Sequence, residues 1–159
     1  MISNNLPKSF TTDFINLPLG TPERLIHAYW QLNMMRFHTF SDKFGKEQQD
    51  TYNQVNHELG VQTIYIDLGA LDCDYKCESK ILNVVRGGKP TWVWFINCNA
   101  LLNSSLAGWL RSILTTYNVN HIRTTFVLDN PQQFQRIFQT YSTPLYQSTM
   151  ALGVMKATR

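Results

Sequence analysis

Along the chain, short apolar blocks alternate with longer stretches in which apolar residues recur every three or four positions. The blocks Val61 to Leu68, Thr91 to Ile96 and Ile122 to Leu128 are rich in β-branched and aromatic residues and read as strands. Between the first two, Tyr75, Leu82 and Val85 have helical spacing within Asp74 to Arg86; between the second and third, Leu106, Leu110, Ile113, Leu114 and Tyr117 do. A strand, a helix of about a dozen residues and a further strand make a parallel crossover, so the pattern predicts β-α-β-α-β and a parallel sheet. Thr91 to Ile96 is apolar on both faces and holds Trp92, Trp94 and Phe95, which places it in the sheet centre.

Upstream, Thr21-Pro22-Glu23 predicts a helix start with Thr21 as N-cap, Pro22 in the first helical position and an acid in the first turn. Its apolar stripes are Leu25, Tyr29 and Leu32, and Ile26, Trp30 and Met34. Met35 to Phe40 alternates apolar and polar residues, the pattern of a half-buried antiparallel edge strand. Ser41-Asp42 offers a cap or turn, and Lys46 to Leu59 predicts a polar helix with Tyr52, Val55 and Leu59 inward, closed by Gly60. After the third block, Asn130-Pro131 opens a helix with Phe134, Ile137, Phe138 and Tyr141 buried, stopped by Thr143-Pro144. Residues 1–20 show no lasting period and read as an N-terminal arm; the tail from Leu145 reads as a last short strand or an arm.

The fold class expected is α/β, a single domain over residues 21–159 with a mostly parallel or mixed sheet of four to five strands and helices packed on it. A chain of 159 residues can bury a core without disulfides. The net charge of +3 comes from scattered Lys and Arg, with no basic run suited to polyphosphate, so nucleic acid is not expected as a partner. Three cysteines, Cys73, Cys77 and Cys98, are an odd number and favour a reducing compartment. With no leader-like start and no long apolar run, neither a membrane span nor export is expected, and the chain reads as cytoplasmic.

Candidate chemistry lies where the blocks end. Asp67, Asn97 and Asp129 each close a strand, the edge at which open α/β sheets place ligands. The loop and helix start from Asn97 to Gly108 is the leading candidate: Asn97, Asn99, Asn103, Ser104, Ser105 and Trp109 would form its surface. A hydroxyl beside unpaired helix N–H groups suits anion binding or phosphoryl acceptance; Asn103-Ser104-Ser105 gives a choice of N-caps, and the plain alternative is that Ser104 or Ser105 is merely that cap. Asp67, Asp72 and Asp74 cluster after the first strand, and Asp72-Cys73-Asp74 is similar to the nucleophile and acid of haloacid-dehalogenase-type phosphatases, although the pair does not directly follow the strand. A capped helix start explains them as well. Cys73, Cys77 and Cys98 lack a fourth metal ligand at a zinc spacing, so no metal is assigned. Gly87-Gly88-Lys89 precedes a strand, the reverse of a phosphate loop, and no glycine-rich cofactor fingerprint is present, so no cofactor is expected.

Residues Trp94 to Gly108, followed by the strand Ile122 to Leu128 and the helix Pro131 to Tyr141, resemble the STAS superfamily, the anti-sigma-factor antagonists and their SpoIIAA-like relatives. The likeness spans about residues 35–142. In those domains an Asp-Ser-Ser-Gly loop before a helix carries a serine phosphorylated by a partner kinase; here Ser104 matches that position and Ser105 its neighbour, with Asn103 in place of Asp and Leu106 in place of Gly. A second register sets Asp67-Leu68-Gly69-Ala70-Leu71 on the same unit, as in the SpoIIAA-like branch. Both registers imply a non-enzymatic regulatory domain.

Three readings follow. The first is a protein-binding domain acting through residues 97–109 and switched by phosphorylation at Ser104, its partner a regulatory kinase or a target. The second is a small Mg²⁺-dependent phosphatase-like enzyme using Asp67, Asp72 and Asp74. The third is a structural subunit of a homo-oligomer that buries the arm and tail.

Overall fold

The computed structural model describes residues 20–70, 79–116 and 118–153. In chain order these form α1 (Pro22–Gln31), β1 (Arg36–Phe40), α2 (Lys46–Glu58), β2 (Gln62–Asp67), α3 (Ser79–Gly87), β3 (Thr91–Ile96), α4 (Ser104–Thr116), β4 (Ile122–Leu128), α5 (Pro131–Phe138) and β5 (Met150–Ala151). The strands make one five-stranded sheet in the order β2-β3-β4-β1-β5, and every pairing is parallel. The three apolar blocks are therefore neighbours running in one direction, as their spacing predicts.

Each face of the sheet carries its own core. Ile66, Val93, Phe95, Ile122, Phe126 and Leu128 point to the face covered by α3, α4 and α5, whose Ile81, Leu110, Ile113 and Ile137 close over them. Phe37, Trp92, Trp94 and Val127 point the other way, under Ile26 and Trp30 of α1 and Tyr52 and Val55 of α2. Alternate side chains of β3 thus feed both cores, which is why that strand is apolar throughout. The crossovers β2-α3-β3, β3-α4-β4 and β4-α5-β5 all move across the sheet in one direction and lie on one face. The β1-to-β2 connection moves in the opposite direction, so a right-handed crossover puts α2 on the other face. Consequently the connections leaving β4 and β1 part to opposite faces between two adjacent strands. At that point Ser41 N–H donates to Leu128 O at 2.8 Å.

The end signals of α1 and α5 are realised as expected. Thr21 Oγ1 accepts from Arg24 N–H at 3.3 Å ahead of Pro22, and Asn130 Oδ1 accepts from Gln133 N–H at 2.8 Å ahead of Pro131. Three expectations are corrected. Residues 36–40 are not an antiparallel edge strand: β1 runs parallel between β4 and β5. Its alternation misleads because His38 is buried too, its ring stacked 4.2 Å from that of Phe134 with Nδ1 2.9 Å from Thr149 Oγ1. Leu32 lies past the last residue of α1 and is 65% exposed, outside the predicted stripe. Tyr141 is 84% exposed, because α5 stops at Phe138 and the Thr140 and Thr143 hydroxyls donate to the carbonyls of its last turn. The predicted helix between β2 and β3 is described from Ser79; Asp74 and Tyr75 lie outside the described residues, as does Tyr117. Among the described residues no helix is long and apolar enough to cross a membrane.

Candidate functional site

The carboxyl edge of the sheet gathers the strand-end residues. Asp67 at the end of β2 accepts two hydrogen bonds on Oδ1, from Gly69 N–H at 2.8 Å and from Asn97 Nδ2 at 2.7 Å. Asn97 reaches it because its backbone is left-handed (φ 56°), a conformation that Asn tolerates better than most residues and that turns the chain sharply out of β3. The Asp67–Asn97 contact thus ties two adjacent strand ends together. Asp129, at the end of β4, is held locally: its N–H donates to Gln133 Oε1 at 2.8 Å, and Gln133 Nε2 donates back to Oδ2 at 3.4 Å.

From Asn97 the chain makes a 3-10 turn over Cys98–Leu102 and enters α4. Leu101 is buried beneath this turn while Asn97, Asn99, Leu102, Asn103, Ser104 and Ser105 are exposed. The helix start is capped by Asn103, whose Oδ1 accepts from Ser105 N–H at 2.9 Å and from Leu106 N–H at 3.4 Å. The capping role considered for Ser104 or Ser105 is therefore filled by the residue before them, and both serines stand on the surface. Trp109 is half-buried one turn further on. Cys98 is sealed in the core, its Sγ–H donating to Phe95 O at 3.4 Å; burial, helped by the charge of Asp129, pushes its thiol well above the usual range and away from nucleophilic use. Asp72, Asp74, Cys73 and Cys77 lie outside the described residues. Among the described residues no three His, Cys, Asp or Glu side chains converge as a metal site.

A further feature, at the β1–α2 turn, escaped the sequence reading. After Phe40 the chain runs through Ser41, Asp42, Lys43 and Phe44 to Gly45-Lys46, which opens a helix of 13 residues. Strand, four residues, Gly-Lys and helix shares the spacing of a phosphate loop, with only Gly45 and Lys46 matching its residues. Phe40 occupies the first-glycine position and Glu47 the position of the metal-binding hydroxyl. Three N–H groups of the turn are used internally here. Lys43 and Phe44 N–H donate to Phe40 O at 3.1 and 2.8 Å, and Gly45 N–H donates to Gln48 Oε1 at 2.9 Å. Lys46 Nζ is drawn back along the helix to Asp50 Oδ1 at 2.8 Å. The ring of Phe44 packs edge-on to Tyr52 and Trp94, which fixes the turn from below. The Gly45-Lys46 pair was the available signal; reading β1 as an antiparallel edge strand removed the context in which it has meaning.

Beside this turn lies a cavity of about 410 Å³, between α1, α2 and the carboxyl ends of β1 and β5. Leu25, Phe44, Tyr52 and Leu152 supply apolar wall, and Lys43, Gln48, Thr51, His38 and Thr39 are its polar lining residues. In comparisons with known proteins the chain matches no family model, no curated protein and no solved structure.

Proposed function

We propose that this chain is a non-enzymatic α/β domain that acts by binding another protein, a regulatory kinase or its target, through residues 97–109, and that phosphorylation of Ser104 switches the contact. The observation that carries the reading is the cap: Asn103 takes the helix-start N–H groups, so the exposed Ser104 and Ser105 hydroxyls are not needed to hold α4. A phosphate on Ser104 adds about two negative charges at a helix start whose nearest donors are already engaged, so it acts on the partner surface more than on the helix. Leu102, exposed beside Asn99 and Asn103, supplies apolar contact within a polar surround.

Two further observations support a binding role over catalysis. The β1–α2 turn has the Gly-Lys pair of a phosphate loop but Phe40 and Glu47 in place of its first glycine and its hydroxyl, and three of its N–H groups bond within the protein. For the Mg²⁺-dependent alternative, Asp67 already accepts on Oδ1 from Gly69 and Asn97. The STAS-like assignment belongs to the same proposal, and what supports it is the order of strand, loop, helix, strand and helix from β3 to α5.

Phosphate-affinity gels on protein recovered from its host test the switch. A shifted band present in wild type and Ser105→Ala but absent from Ser104→Ala is the expected result; no shifted band under any growth condition discards it. Leu102→Asp should release whatever protein co-purifies with the wild type, and retention of that protein removes residues 97–109 as the contact. Calorimetric titration with Mn²⁺, together with phosphatase turnover, would revive the enzymatic alternative if both were positive.

A further inference from the structure

We propose that the cavity between α1, α2 and the carboxyl ends of β1 and β5 binds a small amphipathic monoanion, with its apolar body against Leu25, Phe44, Tyr52 and Leu152 and its charge at Lys43. The place is where an open parallel sheet receives ligands: the carboxyl side of β1, beside the point at which the connections of β1 and β4 part to opposite faces. A volume of about 410 Å³ fits a compact organic molecule and is too small for a peptide helix.

The lining decides the chemistry. Its walls are mostly apolar, and its polar lining residues are Lys43 on the turn, Gln48 and Thr51 on the first turns of α2, and His38 and Thr39 of β1, with Lys43 carrying a full charge. Lys43 brings a positive charge, and no Asp or Glu occurs among the described lining residues, so an anionic head is favoured over a cation. The size of that charge follows from the turn. The N–H groups of Lys43 and Phe44 are spent on Phe40 O, that of Gly45 on Gln48, and Lys46 is held by Asp50. With Phe40 and Glu47 where a phosphate loop has its first glycine and its hydroxyl, the turn lacks parts of a polyphosphate cradle, whereas one carboxylate or sulfonate needs a single ammonium partner. The inference shares the filled turn with the functional reading above but does not depend on Ser104 or on a protein partner.

The test uses the full chain and two dyes of like ring system, the monoanionic anilinonaphthalene sulfonate and the neutral phenylnaphthylamine. Both should bind saturably at one site per chain, with octanoate displacing them. Lys43→Ala should weaken the anionic dye roughly fivefold, the scale of one exposed ion pair, and leave the neutral dye unchanged. Thr51→Trp, from an exposed position on α2, should fill the cavity and abolish binding of both while the circular-dichroism melt stays that of wild type. Undiminished dye binding by folded Thr51→Trp places the dye elsewhere and overturns the proposal. Equal effects of Lys43→Ala on both dyes overturn the assignment of the charge, which Lys43→Glu checks independently. Displacement by ATP as strong as that by octanoate would overturn the single-charge argument and also weaken the binding-only function. Failure of both dyes ends this proposal alone and leaves the Ser104 switch standing.

Discussion

Replacing Arg123 should destabilise the protein according to how much of its hydrogen-bonding shape is removed. Arg123 is 1% exposed, and its partners are neutral. Nη1 donates to Asn120 O at 2.8 Å and Ile122 O at 3.1 Å; Nε donates to Tyr29 O at 3.4 Å; Nη2 donates to Trp30 O at 3.4 Å and Asn33 Oδ1 at 3.3 Å. The Trp30 ring lies 4.2 Å from the guanidinium carbon. Because Tyr29 and Trp30 belong to the last turns of α1, the cation sits at the negative end of the helix dipole. Burial lowers its pKa to about 10 from 12.5, a penalty of roughly 3 kcal/mol on the charged form. Against that stand the two shorter charged hydrogen bonds, worth about 1.5–3 kcal/mol each, and a desolvated cation–π contact of about 2 kcal/mol. The balance is favourable by a few kcal/mol. Arg123→Ala removes every donor and strands the carbonyls at the end of α1, for an expected loss of about 3–5 kcal/mol. At about 2–4 °C per kcal/mol for a chain of this size, Tm should fall by roughly 10 °C. Arg123→Met keeps the volume and relieves the buried charge, so it should cost less, about 1–3 kcal/mol. Urea unfolding followed by far-ultraviolet circular dichroism measures both. An Ala variant within about 0.5 kcal/mol of wild type, or a Met variant worse than Ala, would refute the account.

Gly153→Ala should cost about 1–3 kcal/mol in the same assay, since its new Cβ would lie 2.5 Å from Tyr29 Oη and 2.8 Å from Leu25 Cδ1, breaking the 2.9 Å bond from Gly153 N–H to Tyr29. Asn103→Ala should lose about 1 kcal/mol with the α4 cap, while Ser104→Ala and Ser105→Ala stay within about 0.5 kcal/mol; equal losses at all three positions would return the capping role to the serines. Desolvation holds the His38 imidazole below its ordinary 6.5, so the folded state resists protonation that the unfolded chain accepts. Its contribution to stability is therefore complete above about pH 6.5 and is lost as pH falls through the lower folded value. His38→Phe should flatten the acid limb of a Tm-against-pH curve, and an unchanged limb would assign it to other groups.

The local signals survived folding because they depend on chemistry within a few residues. Thr21-Pro22 and Asn130-Pro131 start helices wherever the chain goes, and the β-branched and aromatic blocks at 62–67, 91–96 and 122–128 pair in parallel because helices intervene. Trp92 and Trp94 marked β3 as interior for the same reason: no exposed face could tolerate them. The position of the serines at the rim was legible too, once the strand before them was recognised.

What the linear pattern could not hold is the place of β1, which pairs with β4, whose residues stand 88 positions later in the register Arg36↔Thr124, and with β5 further on still. An alternating segment looks half-exposed until Phe134 and Thr149, remote in the chain, arrive to bury His38. Setting β1 inside a parallel sheet is what puts Gly45-Lys46 between a parallel strand and a helix, and what brings Gly20, Thr51 and Leu152 around one cavity. Helix caps and apolar periods are settled by near neighbours, so the amino-acid order determined them. The sheet order, the spent donors of the turn and the cavity exist only where distant segments meet, so the tertiary structure decided them.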